Sequence, residues 1–349
     1  MTVAIVTTQR TWKPESEPWA HYHLSLGFTK IYVFVDDGRT DYLPSSPAVQ
    51  LIPCSREYWE SHSPKLWQHY LADVRAAYGA QDFGSPENLT KRQVLNANAG
   101  LALAIADGID WILHIDDDEY FWCPDMSAAE HFDSLKRSGI NNVVYFNHEA
   151  ALFGPDTPAE VRRRTCFKKN WVGLWEHQRN SISRVLPGKP YFACYSNGKG
   201  AARCLPDITI PNGAHSIWIN DPMLAKAEFC KPAILHRPYK DASQFCNKYL
   251  SQGTFSTETM FGMPWNLPEI QAKAQHLVRE NDMAGLRSLF EQLVTVTEAE
   301  RVMLENEGFL VTPDIPLLCN EVAPPVSAQA PRVPPPAPRP LPNTAEAAA

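Results

Sequence analysis

The sequence predicts an α/β fold: a mostly parallel sheet flanked by helices, then a helical C-terminal part and a disordered proline-rich tail. Three observations lead there. Apolar runs of strand length at residues 2–8, 31–35 and 111–115 alternate with longer segments of helical periodicity. The strand–helix–strand order calls for right-handed crossovers between parallel strands. From Ala323 onward the composition collapses to Pro, Ala and Arg with no periodicity.

Taken in order, residues 2–8 form the first strand. Pro18 opens a helix over 19–26 and Gly27 closes it, proline inside the start and glycine past the end. Residues 31–35 form a second strand that runs into the polar loop Asp36-Asp37-Gly38-Arg39-Thr40-Asp41, and 51–53 a short third. Pro64 starts a helix with Leu66, Tyr70, Leu71, Val74 and Ala77 on one face, followed by a Gly/Ser/Pro-rich loop over 80–87. Thr90 caps a helix over 91–106, with Val94, Leu95, Leu101, Ala102 and Ile105 inward and Gly108 beyond its end. Asp125 caps a further helix through Lys136, and 142–146 returns as a strand. Short strands at 191–195, 201–205 and 215–219 punctuate an irregular stretch, in which the basic segment 160–169 reads as a solvated helix face. Past Ala233-Ile234-Leu235-His236 the chain turns helical: Asp241 caps a helix ending at Gly253, and Asp282 and Thr297 cap two more, the latter with Glu300 in capping-box position.

Composition excludes several functions. A net charge of −7 over 349 residues argues against binding nucleic acid by broad phosphate neutralisation. No run of eighteen apolar residues exists to span a membrane. The N-terminus lacks the basic and apolar regions of a signal peptide, so the chain reads as cytoplasmic as written, or as Golgi or secretory if truncated. Its 8 cysteines form no Cys-x-x-Cys pair, which argues against a zinc ribbon and fits free thiols, with disulfides left open. Asn88-Leu89-Thr90 is a glycosylation sequon that matters only on the secretory route.

The chemistry centres on Trp111-Ile112-Leu113-His114-Ile115-Asp116-Asp117-Asp118-Glu119-Tyr120-Phe121. An apolar strand stops at four consecutive acids, which repel one another unless a cation or solvent takes up the charge. Most short acid runs are solvated turns, but here both flanks are apolar. At the carboxyl end of a buried strand this is how an α/β protein offers hard oxygen ligands to a divalent metal. Alternation along extended backbone puts Asp116 and Asp118 on one face and turns Asp117 away.

The ordered features resemble GT-A glycosyltransferases of the family-2-like branch, close to the family-92 (DUF23-type) enzymes. Trp19-Ala20-His21-Tyr22-His23-Leu24-Ser25-Leu26-Gly27-Phe28 resembles that branch's Trp-x-x-Tyr-His-x-x-Leu-Gly-Phe segment, and the acidic stretch its Asp-x-Asp-Glu-Phe motif. Leu235-His236-Arg237-Pro238-Tyr239-Lys240-Asp241-Ala242-Ser243-Gln244-Phe245, with Lys248, resembles its late His-Tyr-x-x-x-Ser-x-x-x-Phe-x-x-Lys segment. The resemblance implies a GT-A-like, Rossmann-type domain over 1–255, with a nucleotide-binding half at 1–125 and an acceptor half at 126–255. A helical extension over 256–320 and a disordered tail over 321–349 follow. It implies Asp116, Asp118 and His236 as ligands of Mn²⁺ or Mg²⁺, with Asp116 also reaching the donor and Asp36 near its base and ribose. One departure stands out: where the family carries a Lys-Asn-Glu-like triplet, this chain has Thr8-Gln9-Arg10-Thr11.

A nucleotide-sugar donor, UDP- or GDP-linked, leaves behind a diphosphate whose charge a hard cation neutralises. The candidate donor-binding set is Asp36, Asp116, Arg10, Lys199 and Arg203. Inverting transfer to a glycan, protein or small-molecule acceptor needs a general base. Glu149, in a segment whose Phe153-Gly154 resembles part of the branch's Trp-x-x-Phe-Gly, is the first candidate and Asp156 the second. Two alternatives stay open: a metal-dependent phosphohydrolase or nucleotidyltransferase, and a catalytically degenerate relative that binds glycans or partners.

Overall fold

β1 (Val3–Gln9) is buried at every position and carries a parallel strand on each side, β2 (Lys30–Val35) and β4 (Trp111–His114). The computed structural model describes residues 1–55, 57–59, 61, 89–159, 165–225, 227–252 and 269–315. The expected helix from Pro64, the 80–87 loop, the sequon's Asn88, residues 160–164 of the basic segment, the 255/256 boundary and the tail lie outside them; the rest of that segment holds a buried strand, Cys166–Lys168, and not a solvated helix face.

The sheet continues outward from β2 to β3 (Val49–Pro53), again parallel. Beyond β4 comes β8 (Lys199–Arg203), antiparallel, then β6 (Asn142–Phe153), β7 (Cys166–Lys168) and β13 (Leu310–Val311). β11 (Ala227–His236) runs parallel to β6 and antiparallel to β5 (Glu119–Trp122), and β12 (Thr295–Val296) pairs with the end of β6. A separate ribbon joins β9 (Thr209–Pro211) to β10 (Ile217–Ile219).

Strand alternation splits the core into two layers. Val3, Ile5, Ile31, Val33, Leu113 and Phe121 face α1 (Glu17–Ser25) and α3 (Ala128–Arg137). Ala4, Val6, Tyr32, Phe34 and Ile112 face Val94 and Leu95 of α2 (Leu89–Ala106). Burial on both faces explains why β1, β2 and β4 read as continuous apolar runs. At Gly100 a Cβ would lie 2.6 Å from a Val6 methyl, so the close approach of α2 to β1 requires glycine there. Gly27 ends α1 with φ +98°, the left-handed cap its position predicts.

Several expectations need correction. Within α2, Ala102 is exposed and Ala104 buried. Ser127, not Asp125, caps α3, because its partnership with Glu130 closes a capping box. β6 runs on to Phe153, well past 146, since β7, β11 and β12 pair with its second half. Residues 191–195 form no strand. The C-terminal part is not purely helical: α6 (Glu269–Arg279), α7 (Met283–Leu289) and α8 (Glu298–Asn306) are interleaved with β12 and β13, which rejoin the main sheet. The caps at Asp241, Asp282 and Thr297 form as read.

His23 ties α1 to β5. Its Nε2 accepts from the Phe121 backbone N–H at 3.1 Å, so Nδ1 is the atom that donates to the Trp19 carbonyl at 2.8 Å. The ring is fully buried, and burial pushes its pKa down from 6.5 to about 3, against the pull of the Trp19 bond. The unfolded chain therefore takes up a proton near pH 6.5 that the folded chain refuses. The stability tied to neutral His23 is complete above 6.5 and is lost as the pH falls toward 3. Denaturant titrations at pH 7, 6 and 5 are expected to show this loss, with a slope of at most about 1.4 kcal/mol per pH unit from this residue. His23→Gln should lessen the loss by this residue's share, while His114, His131, His148 and His215, whose pKa values burial also lowers, keep theirs; an unchanged slope would remove His23 from the account.

Candidate active site

β2 and β4 flank β1, so the connections from their carboxyl ends diverge above β1, the position at which an open α/β sheet offers its ligand crevice. Arg10, Asp36 and Asp116 follow β1, β2 and β4 at this end. The acidic residues form a turn between β4 and β5, with Asp116 and Asp118 half-buried and Asp117 exposed. β5 begins immediately afterwards, and its first residue, Glu119, pairs with His236, which in turn pairs with Glu149. This register carries the late histidine, over a hundred residues away in sequence, beside the acid turn. The Arg237 N–H donates to the Asp118 carbonyl at 2.8 Å and fixes the junction.

One half of the site is closed. Lys199 is fully buried at the start of β8, and its Nζ donates to Asp116 Oδ2 at 2.6 Å and to the Ala214 carbonyl at 3.1 Å. It also lies 3.3 Å from Glu119 Oε2, which accepts from the Asp116 backbone N–H at 2.7 Å. Gln93 of α2 donates to Asp116 Oδ1 at 2.7 Å. Both oxygens of Asp116 are therefore taken. Burial pushes the Asp116 pKa up, but the Lys199 ammonium more than offsets it and holds the carboxyl well below its ordinary range. Burial likewise opposes the charge on Lys199, yet Asp116 and Glu119 raise its pKa overall. Glu119 moves the other way: burial, reinforced by Asp116 and Asp118, outweighs Lys199 and raises its pKa.

The other half is open. Asp118 Oδ2 accepts from Lys248 Nζ at 2.9 Å, while Oδ1 faces His236 Nε2 at 3.8 Å. His236 is 3 % exposed, and burial lowers its pKa, so the imidazole is neutral and able to ligate. Tyr195 lies between two imidazoles, with ring centroids 4.7 Å from His236 and 4.3 Å from His215. Four residues here have buried polar atoms without a protein partner: Glu119 Oε1, His236 Nδ1, the Tyr195 hydroxyl and both nitrogens of His114. Uncommitted polar atoms around a carboxylate–imidazole pair fit a site built for a polar ligand or ion. One carboxylate oxygen and a neutral imidazole also suit Mn²⁺.

The remaining candidates are dispersed. Asp36 is locked by Arg92, whose Nε and Nη2 donate to its two oxygens at 2.7 and 2.8 Å, so its carboxylate is not free for a ribose. Arg10 is exposed at the crevice. Arg203 sits at the opposite end of the sheet, donating to Asn141, because β8 runs antiparallel to β4 and brings only Lys199 to the acid turn. Glu149 is 1 % exposed and accepts from Lys168 Nζ at 3.0 Å and from the Ala193 and Cys194 N–H groups, each at 2.7 Å. It braces the 191–195 segment and shows no face to an acceptor. Asp156, on the loop after β6, accepts from the Glu298 N–H at the start of α8.

Ligand atoms of Glu149, Cys194 and His236 lie within 4.8 Å of one another, the only such set of three among the described residues. It suits a cation poorly: the carboxylate is saturated with donors, and burial and Glu149 push the Cys194 thiol up to about 12. Sequence reading missed Arg92, Gln93 and Asn96. Their signal is three polar residues on the first turns of a helix that is otherwise apolar inward, and all three reach strand ends, at Asp36, Asp116 and Thr8.

No family model matches the sequence. Two glycosyltransferase-like proteins of Arabidopsis thaliana are similar to it, one 28 % identical over 260 residues and the other 26 % identical over 265. Each comparison covers 70 % of this chain but 55 % and 49 % of the relatives, so the chain spans about half the length of the curated proteins it matches. Among solved structures, a mannosyltransferase from S. cerevisiae aligns at a TM-score of 0.26 and 10 % identity, over 44 % of this chain and 41 % of its own. A core-mannan synthase from Aspergillus fumigatus, in its Mn/GDP form, aligns at 0.26 and 8 % identity, over 58 % of this chain and 60 % of its own.

Proposed function

We propose that this chain is a metal-dependent glycosyltransferase that moves a sugar from a nucleotide-sugar donor, UDP- or GDP-linked, to an acceptor hydroxyl. The observation that carries the reading is the pairing of Asp118 Oδ1 with neutral His236 Nε2 at 3.8 Å, at the carboxyl end of a buried strand beside the crevice. The glycosyltransferase-like relatives support the same class.

Asp118 and His236 would hold a divalent Mn²⁺ or Mg²⁺. When bound, that ion supplies Lewis-acid neutralisation of a diphosphate leaving group. The chain's own residues do the rest. Lys199 keeps Asp116 ionised and immobile, and Asp116 with Gln93 forms a polar wall under the crevice. Arg10, exposed at the end of β1, is available to an anionic donor. His236 packs against the ring of Tyr195, centroids 4.7 Å apart. Lys199 offsets Asp116 and Lys248 bonds one oxygen of Asp118, which leaves the other Asp118 oxygen to a cation beside His236.

Incubating the chain with a panel of UDP- and GDP-sugars and Mn²⁺ tests the reading. Release of nucleoside diphosphate from one donor, abolished by EDTA and restored by Mn²⁺, is the expected result. Release indifferent to EDTA, or from no donor, would contradict it.

A further inference from the structure

The two lysines of the acid turn differ in kind. Lys199 is fully buried and caged by Asp116, Glu119 and the Ala214 carbonyl. Lys248, on α5 (Ala242–Gln252), has one ion-pair partner in this turn, Asp118, and its side chain is 28 % exposed. Its ammonium lies 5.3 Å above the ring of Tyr239, itself fixed by hydrogen bonds to Tyr249 at 2.9 Å and Cys194 at 3.3 Å. It therefore bonds the very carboxylate whose other oxygen faces His236.

We infer that Lys248 is an exchangeable counter-ion, whose ammonium pairs with Asp118 before a cation binds and then pairs with the donor's diphosphate instead. This rests on the metal-site reading above. A divalent cation between Asp118 and His236 would stand a few ångströms from the Lys248 ammonium, and like charges at that range repel. The cation alone is consequently opposed. A diphosphate relieves the conflict, because it offers the ammonium new oxygen partners while sharing the cation's charge. Metal and nucleotide then favour each other's binding through Lys248, a coupling that must be reciprocal. Lys199 takes no part, since leaving its cage would abandon half-buried Asp116 and fully buried Glu119.

Calorimetric titration of the full chain with Mn²⁺ alone, and with UDP or GDP at saturating Mn²⁺, separates this from a structural role. Lys248→Met is expected to tighten binding of Mn²⁺ alone and to weaken nucleotide binding, each by about five- to tenfold, a typical coupling range. Lys248→Arg, which keeps the charge, should shift both far less. Mn²⁺ and nucleotide both weakened in Lys248→Met, as a damaged fold would give, overturns the inference. So does Mn²⁺ binding unchanged by Lys248→Met, while leaving the proposed function intact. No Mn²⁺ binding in either protein overturns the proposed function and this inference with it.

Discussion

Asp118→Asn is expected to lower Mn²⁺-dependent donor turnover at least about 100-fold, more than the effect typical of residues that merely support a metal ligand. The amide keeps the shape of the side chain but loses the charge that faces His236 and Lys248. Stability should change little, because Asp118 is 25 % and Lys248 28 % exposed and water can solvate what the substitution leaves unpaired. The informative result is lost turnover with an unmoved melting temperature. Undiminished turnover would put the cation elsewhere.

The second large effect is on the fold. Lys199→Met removes the one cation between Asp116 and Glu119, the latter 0 % exposed. Breaking a buried pair by deleting one partner leaves a charge without compensation and costs about 3–5 kcal/mol. The midpoint of urea unfolding should fall accordingly. Adding Asp116→Asn should recover part of the loss, because it removes the carboxylate that Lys199 compensates and double-mutant cycles expose such coupling. Strictly additive losses would mean that the lysine acts by packing alone.

How much of this was legible in the sequence depends on where each residue's partners lie. β1, β2 and β4 could be read because their neighbours on both faces are apolar, so local composition and tertiary environment agree. β6 could be read only in its first half. From Asn147 the strand carries His148 and Glu149, residues that break strand composition yet are held by partners distant in sequence, as Glu149 is by Lys168, Ala193 and Cys194. The aromatic run at 191–195 suggested a strand for the converse reason: its apolar side chains are buried, but the N–H groups of Ala193 and Cys194 go to a carboxylate rather than to a neighbouring strand.

Within the site, Asp117 is the exposed member of the acid run, but residues 117–118 form a turn and not extended backbone, so alternation is not what separates it from its neighbours. Alternation also said nothing of what Asp116 and Asp118 would meet. Asp116 faces Gln93 and Lys199, whereas Asp118 faces His236 and Lys248. The difference arises from the register of β5 on β11, which no local pattern encodes. Arg203 failed for a topological reason. Three residues separate it from Lys199, but the strand they form runs antiparallel to β4 and carries it to the opposite end of the sheet.

The central claim is that Asp118 and His236 together hold a divalent cation through which a nucleoside diphosphate is bound. Its most direct test is a calorimetric titration of the unmodified chain with UDP and with GDP, each in the presence of Mn²⁺ and after its removal. The account predicts binding of one nucleotide that requires Mn²⁺ and is lost in His236→Ala. Equal binding with and without Mn²⁺, or binding retained in His236→Ala, would contradict it.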